Sequence, residues 1–118
     1  MNGTTAIGAF GALAHQHRLA IYRVLVKRGP AGLAAGTVGE KLGLLPSSLT
    51  FHLQSLCRAG LIVQRRVGRQ LIYSADFSAM NALLSFLTEN CCVEGGESCG
   101  VACLPASARA SGRRRKIA

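Results

Sequence analysis

The sequence of 118 residues predicts a mainly α-helical domain with one small β-hairpin. Apolar side chains recur at helical spacing over most of residues 5–59 and again over 76–90. Between these stretches, two short β-prone runs flank Gly68. A chain of this length fits one domain with a limited core, which a second copy of the chain commonly completes.

The first predicted element is helical over residues 5–28, where apolar positions follow the helical repeat. The segment His15-Gln16-His17 interrupts this spacing and predicts a junction between two helices. Gly29 and Pro30 end the second helix, because glycine caps a helix and proline cannot continue one.

A short helix is predicted to begin after Thr37 and to reach Leu42. Thr37 is the expected N-cap, because Glu40 three residues later completes a capping-box pattern. Residues 31–36 before it are expected to form a loose connection.

A second short helix is predicted from about Pro46 to Ala59, and Gly60 ends it. Gly43 allows the sharp turn that separates it from the preceding helix. Its inward face consists of three leucines, Leu49, Leu53 and Leu56. Two short helices joined by a glycine-containing turn outline a helix-turn-helix motif.

Residues 61–63 and 71–73 are short β-prone runs, which predict a hairpin with its tip near Gly68. Three arginines lie at or beside this tip, Arg65, Arg66 and Arg69. Arginines in such a position suit contact with DNA phosphates or with the minor groove.

Asp76 is expected to cap a final helix that runs to about Asn90. Its apolar side chains form a broad stripe consisting of Phe77, Met80, Leu83, Leu84 and Leu87. From Gly95 onward the chain is rich in Gly, Ser, Ala and Arg, a composition typical of a mobile segment. We therefore predict one DNA-binding and dimerisation domain over residues 1–92 and a flexible, basic, cysteine-containing tail over residues 93–118.

The charge balance favours a polyanionic partner, because 14 Lys and Arg residues against 5 Asp and Glu residues give a net charge of +9. Five of these basic residues lie in the tail, Arg109, Arg113, Arg114, Arg115 and Lys116. That run is expected to be a solvated tail, with phosphate contact as the alternative.

The second helix of the helix-turn-helix carries the residues expected to meet double-stranded DNA. Such a helix enters the major groove with its N-terminal residues toward bases and phosphates. These residues are Ser47, Ser48, Thr50, Phe51 and Gln54. Hydroxyls there approach phosphates or base edges, and Gln54 suits pairing with adenine. His52 on the same helix is expected to be partly buried and structural.

Four of the five cysteines fall within thirteen residues, Cys91, Cys92, Cys99 and Cys103. The sequence has no run near the roughly 20 apolar residues that span a bilayer and no signal-peptide pattern, so a cytoplasmic protein without a membrane contact is expected. In that compartment, clustered cysteines favour metal binding or a redox response over structural disulfides. Cys57 lies outside the cluster and is expected to be a small buried residue.

Four segments carry a resemblance to a known family: residues 13–19 (LAHQHRL), 46–53 (PSSLTFHL), 59–62 (AGLI) and 68–73 (GRQLIY). In this order they resemble the ArsR/SmtB family of metal-responsive winged-helix repressors. The resemblance covers about residues 8–92. It implies a winged helix-turn-helix homodimer, joined by its first and last helices, that represses transcription by binding operator DNA.

The resemblance also implies where a metal is bound. One arsenic site of the family uses a Cys-Val-Cys pair on the first helix of the helix-turn-helix, and residues 37–41 (TVGEK) contain no cysteine. A zinc site of the family needs histidine on the last helix, and the sequence has none between Asp76 and Asn90. Two adjacent cysteines after the last helix, followed by a third, are similar to the C-terminal arsenic site of one ArsR branch.

This similarity implies that Cys91, Cys92 and Cys99 bind As(III) or Sb(III) as the inducer, with no obligatory cofactor. Three thiolates in a pyramidal arrangement satisfy such an ion, and soft thiolate ligands select it over hard ions. Cys103 remains an alternative third ligand, and four thiolates also suit Zn(II) or Cd(II).

The expected function is an arsenic-responsive repressor whose dimer leaves operator DNA when the ion binds. One alternative is a repressor of the same family that senses Cd(II), Pb(II), Zn(II) or thiol oxidation. Another is a constitutive nucleic-acid-binding protein whose cysteines are incidental. An enzyme is not expected, because the cysteines have no acid–base pair, Cys-x-x-Cys motif or cofactor loop near them in the sequence.

Overall fold

A computed structural model of the chain describes residues 1–95. Within them it has five α-helices and a three-stranded antiparallel sheet, which confirms the predicted mainly α-helical fold with a hairpin. In chain order the elements are α1 (Gly3–Leu13), α2 (Gln16–Arg28), β1 (Leu33–Ala34), α3 (Ala35–Leu42), α4 (Pro46–Arg58), β2 (Ile62–Val67), β3 (Gln70–Ala75) and α5 (Phe77–Thr88).

The junction predicted between two helices lies between α1 and α2. His15 caps α2, because its Nδ1 atom accepts a hydrogen bond of 3.1 Å from the His17 N–H. The opposite end of α2 is capped by Gly29, whose N–H donates to the Leu25 carbonyl oxygen. The predicted positions of the junction and of the glycine cap are both confirmed.

The helix α3 begins earlier than predicted, and Thr37 is not its N-cap. Ala34 occupies the N-cap position without a side-chain hydrogen bond, and Thr37 lies inside the first turn. The capping-box prediction is wrong because strand β1 runs directly into α3, so that backbone pairing fixes where the helix starts. The expected loose connection over residues 31–36 is wrong for the same reason.

Strand β1 is a short addition to the hairpin. Leu33 pairs with Tyr73, and Ala34 pairs with Ile72, so the strand order is β1-β3-β2. Gly32, just before β1, has a φ of 74°, and a Cβ atom there would lie 2.5 Å from the Tyr73 carbonyl oxygen. The close approach of β1 to β3 therefore depends on a residue without a side chain.

The helix-turn-helix consists of α3 and α4 as predicted. Gly43 turns the chain in the left-handed conformation with a φ of 68°, and Pro46 lies in the first turn of α4. The three predicted inward leucines are buried, Leu49, Leu53 and Leu56. They join the single core cluster, which also contains the largest buried side chains of α2, Ile21 and Leu25.

The hairpin, or wing, pairs β2 with β3 from Ile62 opposite Ala75 to Val67 opposite Gln70. Its tip lies at Gly68, with a φ of 62°, as predicted. The base of the wing packs into the core through Ile62 and Tyr73, while the tip extends into solvent. This arrangement places the tip arginines away from the core.

The last helix α5 begins at the predicted cap, where Asp76 Oδ1 accepts a hydrogen bond of 3.1 Å from the Ala79 N–H. It ends at Thr88, two residues before the predicted end at Asn90. Asn90 has a φ of 62°, which a right-handed helix does not accommodate. Over residues 1–95, no helix has the length and apolar character needed to cross a membrane.

Candidate nucleic-acid interface and cysteine pair

The side chains of α4 that do not face the core are exposed. They include all five residues of this helix predicted to meet DNA, Ser47, Ser48, Thr50, Phe51 and Gln54. The Phe51 ring is 56% exposed, a large apolar area for a solvated helix. Hydroxyl groups, an amide and one apolar ring are the kinds of group that read base edges and thymine methyls.

The three wing arginines differ in their surroundings. Arg65 donates from Nη2 to the Ala31 carbonyl oxygen at 2.8 Å and from Nη1 to the Pro30 carbonyl oxygen at 3.4 Å. Arg66 and Arg69 are exposed, Arg66 on β2 and Arg69 in the turn at the tip. Arg65 therefore also connects the wing to the loop between α2 and β1, a role that the sequence does not indicate.

His52 is the one polar residue of α4 that points inward, with 7% of its surface exposed. It is more buried than the partly buried position predicted for it. Its Nδ1 atom lies 3.5 Å from Nη1 of Arg18, and Nε of Arg18 donates to the Ala12 carbonyl oxygen at 2.6 Å. A chain of polar contacts thus joins α1, α2 and α4.

All three histidines of the chain gather at this point. Ring centroids are 4.6 Å apart for His15 and His52, 5.5 Å for His15 and His17, and 5.7 Å for His17 and His52. We call these three residues together with Arg18 the histidine cluster. Burial lowers the pKa of His52 below the usual 6.5, and His15, Arg18 and His17 lower it further.

The sequence does not predict the histidine cluster, because His52 lies far along the chain from the other three members. The contact between Arg18 and His52 spans 34 positions, and no local pattern connects them. The only signal was the His15-Gln16-His17 segment, which predicted a junction but no partner for it.

The first two cysteines of the predicted metal site lie in a tight turn that follows α5. The Cys91 N–H donates to the Thr88 carbonyl oxygen at 3.0 Å, and both Asn90 and Cys92 have positive φ angles near 60°. Both thiols are exposed, and their Sγ atoms are 3.4 Å apart. Among residues 1–95 no group of three or more ligating side chains has the geometry of a metal site.

The other members of that predicted site, Cys99 and Cys103, lie outside the described residues, as does the basic run of the tail. Cys57 is half-buried on α4, and burial raises the pKa of its thiol. A thiol that keeps its proton suits the predicted role of a small packing residue.

Large apolar side chains are exposed on both α1 and α5, which pack against each other. Ile7 is 73% exposed, Phe10 is 40% exposed and Leu87 is 57% exposed. We call these three residues the α1–α5 face. Of the five residues in the predicted stripe of α5, Leu83 alone is buried within the described part of the chain.

The family described as a helix-turn-helix domain matches residues 13–65. The chain is 33% identical to the nodulation protein NolR of Rhizobium meliloti over 84 residues, which are 71% of this chain and 66% of that protein. It is 32% identical to the HTH-type transcriptional regulator YgaV of Escherichia coli over 81 residues, which are 69% of this chain and 80% of YgaV.

The fold is shared with the ArsR-like transcriptional regulator from Rhodococcus sp. RHA1, at a TM-score of 0.64 and 26% identity. This similarity covers 71% of the present chain and 76% of the Rhodococcus chain. The chain belongs to the ArsR family of winged helix-turn-helix transcriptional regulators.

A further structure of this ArsR-family fold is the homodimeric winged helix-turn-helix domain of Mb0332 from Mycobacterium bovis. It matches at a TM-score of 0.59 and 22% identity, over 81% of the present chain and 89% of that chain. The family assignment confirms the resemblance seen in the sequence. The chain spans about two thirds of the length of NolR, 66%.

Proposed function

We propose that this ArsR-family protein is a homodimeric transcriptional repressor that leaves its operator when As(III) or Sb(III) binds Cys91, Cys92 and Cys99. The observation that carries the proposal is the pair of exposed thiols, with Sγ atoms 3.4 Å apart, directly after α5. These soft thiol ligands lie at the end of α5, a helix that belongs to the expected dimer surface.

DNA binding in this proposal uses α4 and the wing tip. The exposed residues of α4 enter the major groove, and Arg66 and Arg69 contact the backbone or the minor groove beside it. Arg65 reaches DNA only by releasing its contacts with the Ala31 and Pro30 carbonyl oxygens. The net charge of +9 supports association with a polyanion.

Dimerisation in this proposal uses the α1–α5 face. Exposed apolar side chains on neighbouring helices are favourable to bury against a second copy, at about 25 cal/mol per Å² of apolar surface removed from water. The Mb0332 domain, which has the same fold, is homodimeric. A two-fold dimer then offers its two α4 helices to successive major grooves of a palindromic operator.

The separation of the two sulfur atoms supports the proposed ion site. Two thiolates bound to one ion at about 2.3 Å lie roughly 3.4–3.8 Å apart for S–ion–S angles of about 95–109°. The 3.4 Å separation of the Cys91 and Cys92 sulfurs falls at the short end of this range. One further thiolate completes a pyramidal As(III) site, and Cys99 follows in the sequence after a glycine pair, Gly95 and Gly96.

Release from DNA requires that the ion favour one dimer geometry over another. Because Cys91 and Cys92 directly follow α5, drawing Cys99 to them reorders the end of an element that forms the α1–α5 face. Linkage requires the DNA-bound dimer to bind the ion more weakly by the same factor by which the ion weakens DNA binding. An ion with equal affinity for both forms would shift nothing.

The test measures fluorescence anisotropy of the full-length protein on labelled DNA from its own promoter. Arsenite, antimonite, cadmium, lead, zinc and a thiol oxidant are titrated separately. We expect arsenite and antimonite to release the wild-type protein. The variant Cys91→Ser/Cys92→Ser is expected to bind this DNA normally and to ignore both ions.

The matched control is Cys57→Ser, which removes a thiol outside the proposed site and should leave release intact. Cys99→Ser and Cys103→Ser identify the third ligand. Release by cadmium, lead or zinc alone, or by a thiol oxidant alone, would assign the site to the alternative sensor. Insensitivity to every ion and oxidant would contradict a sensory role.

A further inference from the structure

We propose that the histidine cluster positions the recognition helix α4 through a proton-sensitive contact, so that mild acid weakens specific DNA binding. In this proposal Arg18 and His52 are positioning residues, which act on DNA only through α4. The inference rests on the proposed function, because it concerns the regulation of the same DNA-binding surface.

The contact between Arg18 and His52 favours the neutral imidazole. A guanidinium group can only donate hydrogen bonds, so Nδ1 of His52 can take part in the 3.5 Å contact only as an acceptor. A proton on Nδ1 would remove this contact and place two positive charges beside each other. Arg18 is held from its other side by the Ala12 carbonyl oxygen at 2.6 Å, which prevents it from moving away freely.

The His15 ring joins the cluster to the start of α2. Nδ1 of His15 accepts the hydrogen bond from the His17 N–H that caps α2. The ring centroids of His15 and His52 are 4.6 Å apart, so a displacement of His52 acts on the start of α2 as well as on the inner side of α4.

The charges around His52 all oppose its protonation. The Arg18 guanidinium and the His15 and His17 rings come from α2 and its cap, while α1 contributes the Ala12 carbonyl oxygen through Arg18. The groups that shift the pKa of His52 are burial, His15, Arg18 and His17, and each of them lowers it. No acidic side chain of residues 1–95 is among these groups.

The direction of the pH effect follows from this shift. Because folding lowers the pKa of His52 below the usual 6.5, the folded state binds fewer protons than the unfolded chain. The contribution of neutral His52 to the stability of the folded state is therefore complete above the usual pKa of 6.5 and is lost as the pH falls through the lowered pKa of the folded state.

The Phe51 ring, which faces DNA in the proposed complex, packs edge-on against His52 with centroids 5.5 Å apart. Displacement of His52 therefore moves a proposed DNA-contacting residue.

The composition of the chain allows a clean test. Its three histidines all belong to the cluster, so His15→Asn/His17→Gln/His52→Gln removes every imidazole from the protein. Asn at position 15 retains an N-cap acceptor, and Gln at position 52 retains an acceptor for Arg18. The single variants His15→Asn and His52→Gln provide the same comparison where the triple variant does not fold.

Affinities of the full-length proteins for promoter DNA and for scrambled DNA are measured at about pH 7.5 and pH 5.5, each with and without EDTA. From the higher to the lower pH, the wild-type protein is expected to lose specific affinity relative to scrambled DNA by more than about twofold and less than about tenfold, because the lowered pKa of His52 leaves part of the protein neutral at this position at about pH 5.5. The histidine-free variant is expected to change by less than about twofold, since no imidazole titrates. Thermal unfolding followed by circular dichroism should show the same contrast.

The proposal is overturned if wild type and variant lose specificity equally, or if acid leaves the wild-type specificity unchanged or raises it. A wild-type effect that disappears in EDTA would indicate a bound metal and would also overturn it. Absence of promoter binding at about pH 7.5 would reject the proposed function but would not test the pH-dependent contact. The unfolding curves then decide the present inference, because an equal acid-induced loss of stability in both proteins contradicts it.

Discussion

At the residue scale, two neighbouring arginines on β2 carry the same charge and have different surroundings. Arg65 holds the loop between α2 and β1 through the Ala31 and Pro30 carbonyl oxygens. Arg66 lies on the opposite face of the strand, because successive side chains of a strand alternate, and it is exposed. Their contributions to stability and to DNA binding should therefore separate.

Substitution of these two residues distinguishes the roles. Arg66→Ala is expected to weaken DNA binding about equally for all sequences and to reduce the slope of log affinity against log salt by about 1, without changing thermal stability. Arg65→Ala is expected to lower the melting temperature by a few degrees, because it removes the contacts between wing and loop.

The measurements are anisotropy on promoter and scrambled DNA over a range of salt concentrations, together with thermal unfolding of both variants. Equal melting temperatures for Arg65→Ala and wild type would show that the loop contacts contribute nothing to stability. An unchanged salt slope for Arg66→Ala would place that side chain away from phosphates.

At the element scale, the start of α3 depends on the pairing of β1 with β3 and not on a capping side chain. Gly32 makes this pairing possible, because its φ of 74° and its approach to the Tyr73 carbonyl oxygen exclude a Cβ atom. Gly36, the second residue of α3, has open space around the position of a Cβ atom.

These two glycines form a matched pair for mutation. Gly32→Ala is expected to destabilise the protein by about 1–3 kcal/mol from the backbone conformation alone, with a further cost from the contact with β3. Gly36→Ala is expected to be neutral or to stabilise it by up to about 1 kcal/mol, because alanine is a better helix former than glycine and Gly36 is the second residue of α3. Urea unfolding of both variants measures the difference, and a Gly32→Ala protein as stable as wild type would contradict the role of β1.

The elements that were predicted correctly share a local cause. The Asp76 cap, the Gly68 tip and the Gly43 turn each depend on residues within four positions along the chain. The Thr37 cap had an equally good local pattern and is wrong, because β1 pairs with a distant strand: Tyr73, which pairs with Leu33, lies 40 positions further along the chain. Local patterns therefore predict an element well where no distant strand pairs beside it.

At the scale of the whole molecule, the α1–α5 face is the surface that a monomer leaves uncovered. Ile7 and Leu87 expose 73% and 57% of their side chains on the two helices of this face. Apolar area of this kind is usual where a second copy packs.

A charged residue in this face is expected to separate the proposed dimer, since burying an unpaired carboxylate is unfavourable. Ile7→Asp and Leu87→Asp should each shift the protein to monomer in sedimentation velocity at micromolar concentration. They should also weaken operator binding, because a monomer holds only one half-site. Val63→Asp, at an exposed apolar position on β2, is the matched control and should remain dimeric. A dimer that persists in both face variants would place the interface elsewhere.

The amino-acid sequence alone predicted the presence and order of the helices, the hairpin, the helix-turn-helix and the family, because periodicity, caps and glycine turns act over a few residues. The start of α3 was the exception, since it depends on strand pairing. It also showed the cysteines, since adjacent thiols need no folding to be recognised. The histidine cluster and the anchoring of Arg65 became visible only once the helices and the wing were packed. Both join residues 34 or more positions apart, and such contacts depend on the packing of whole elements rather than on any local pattern.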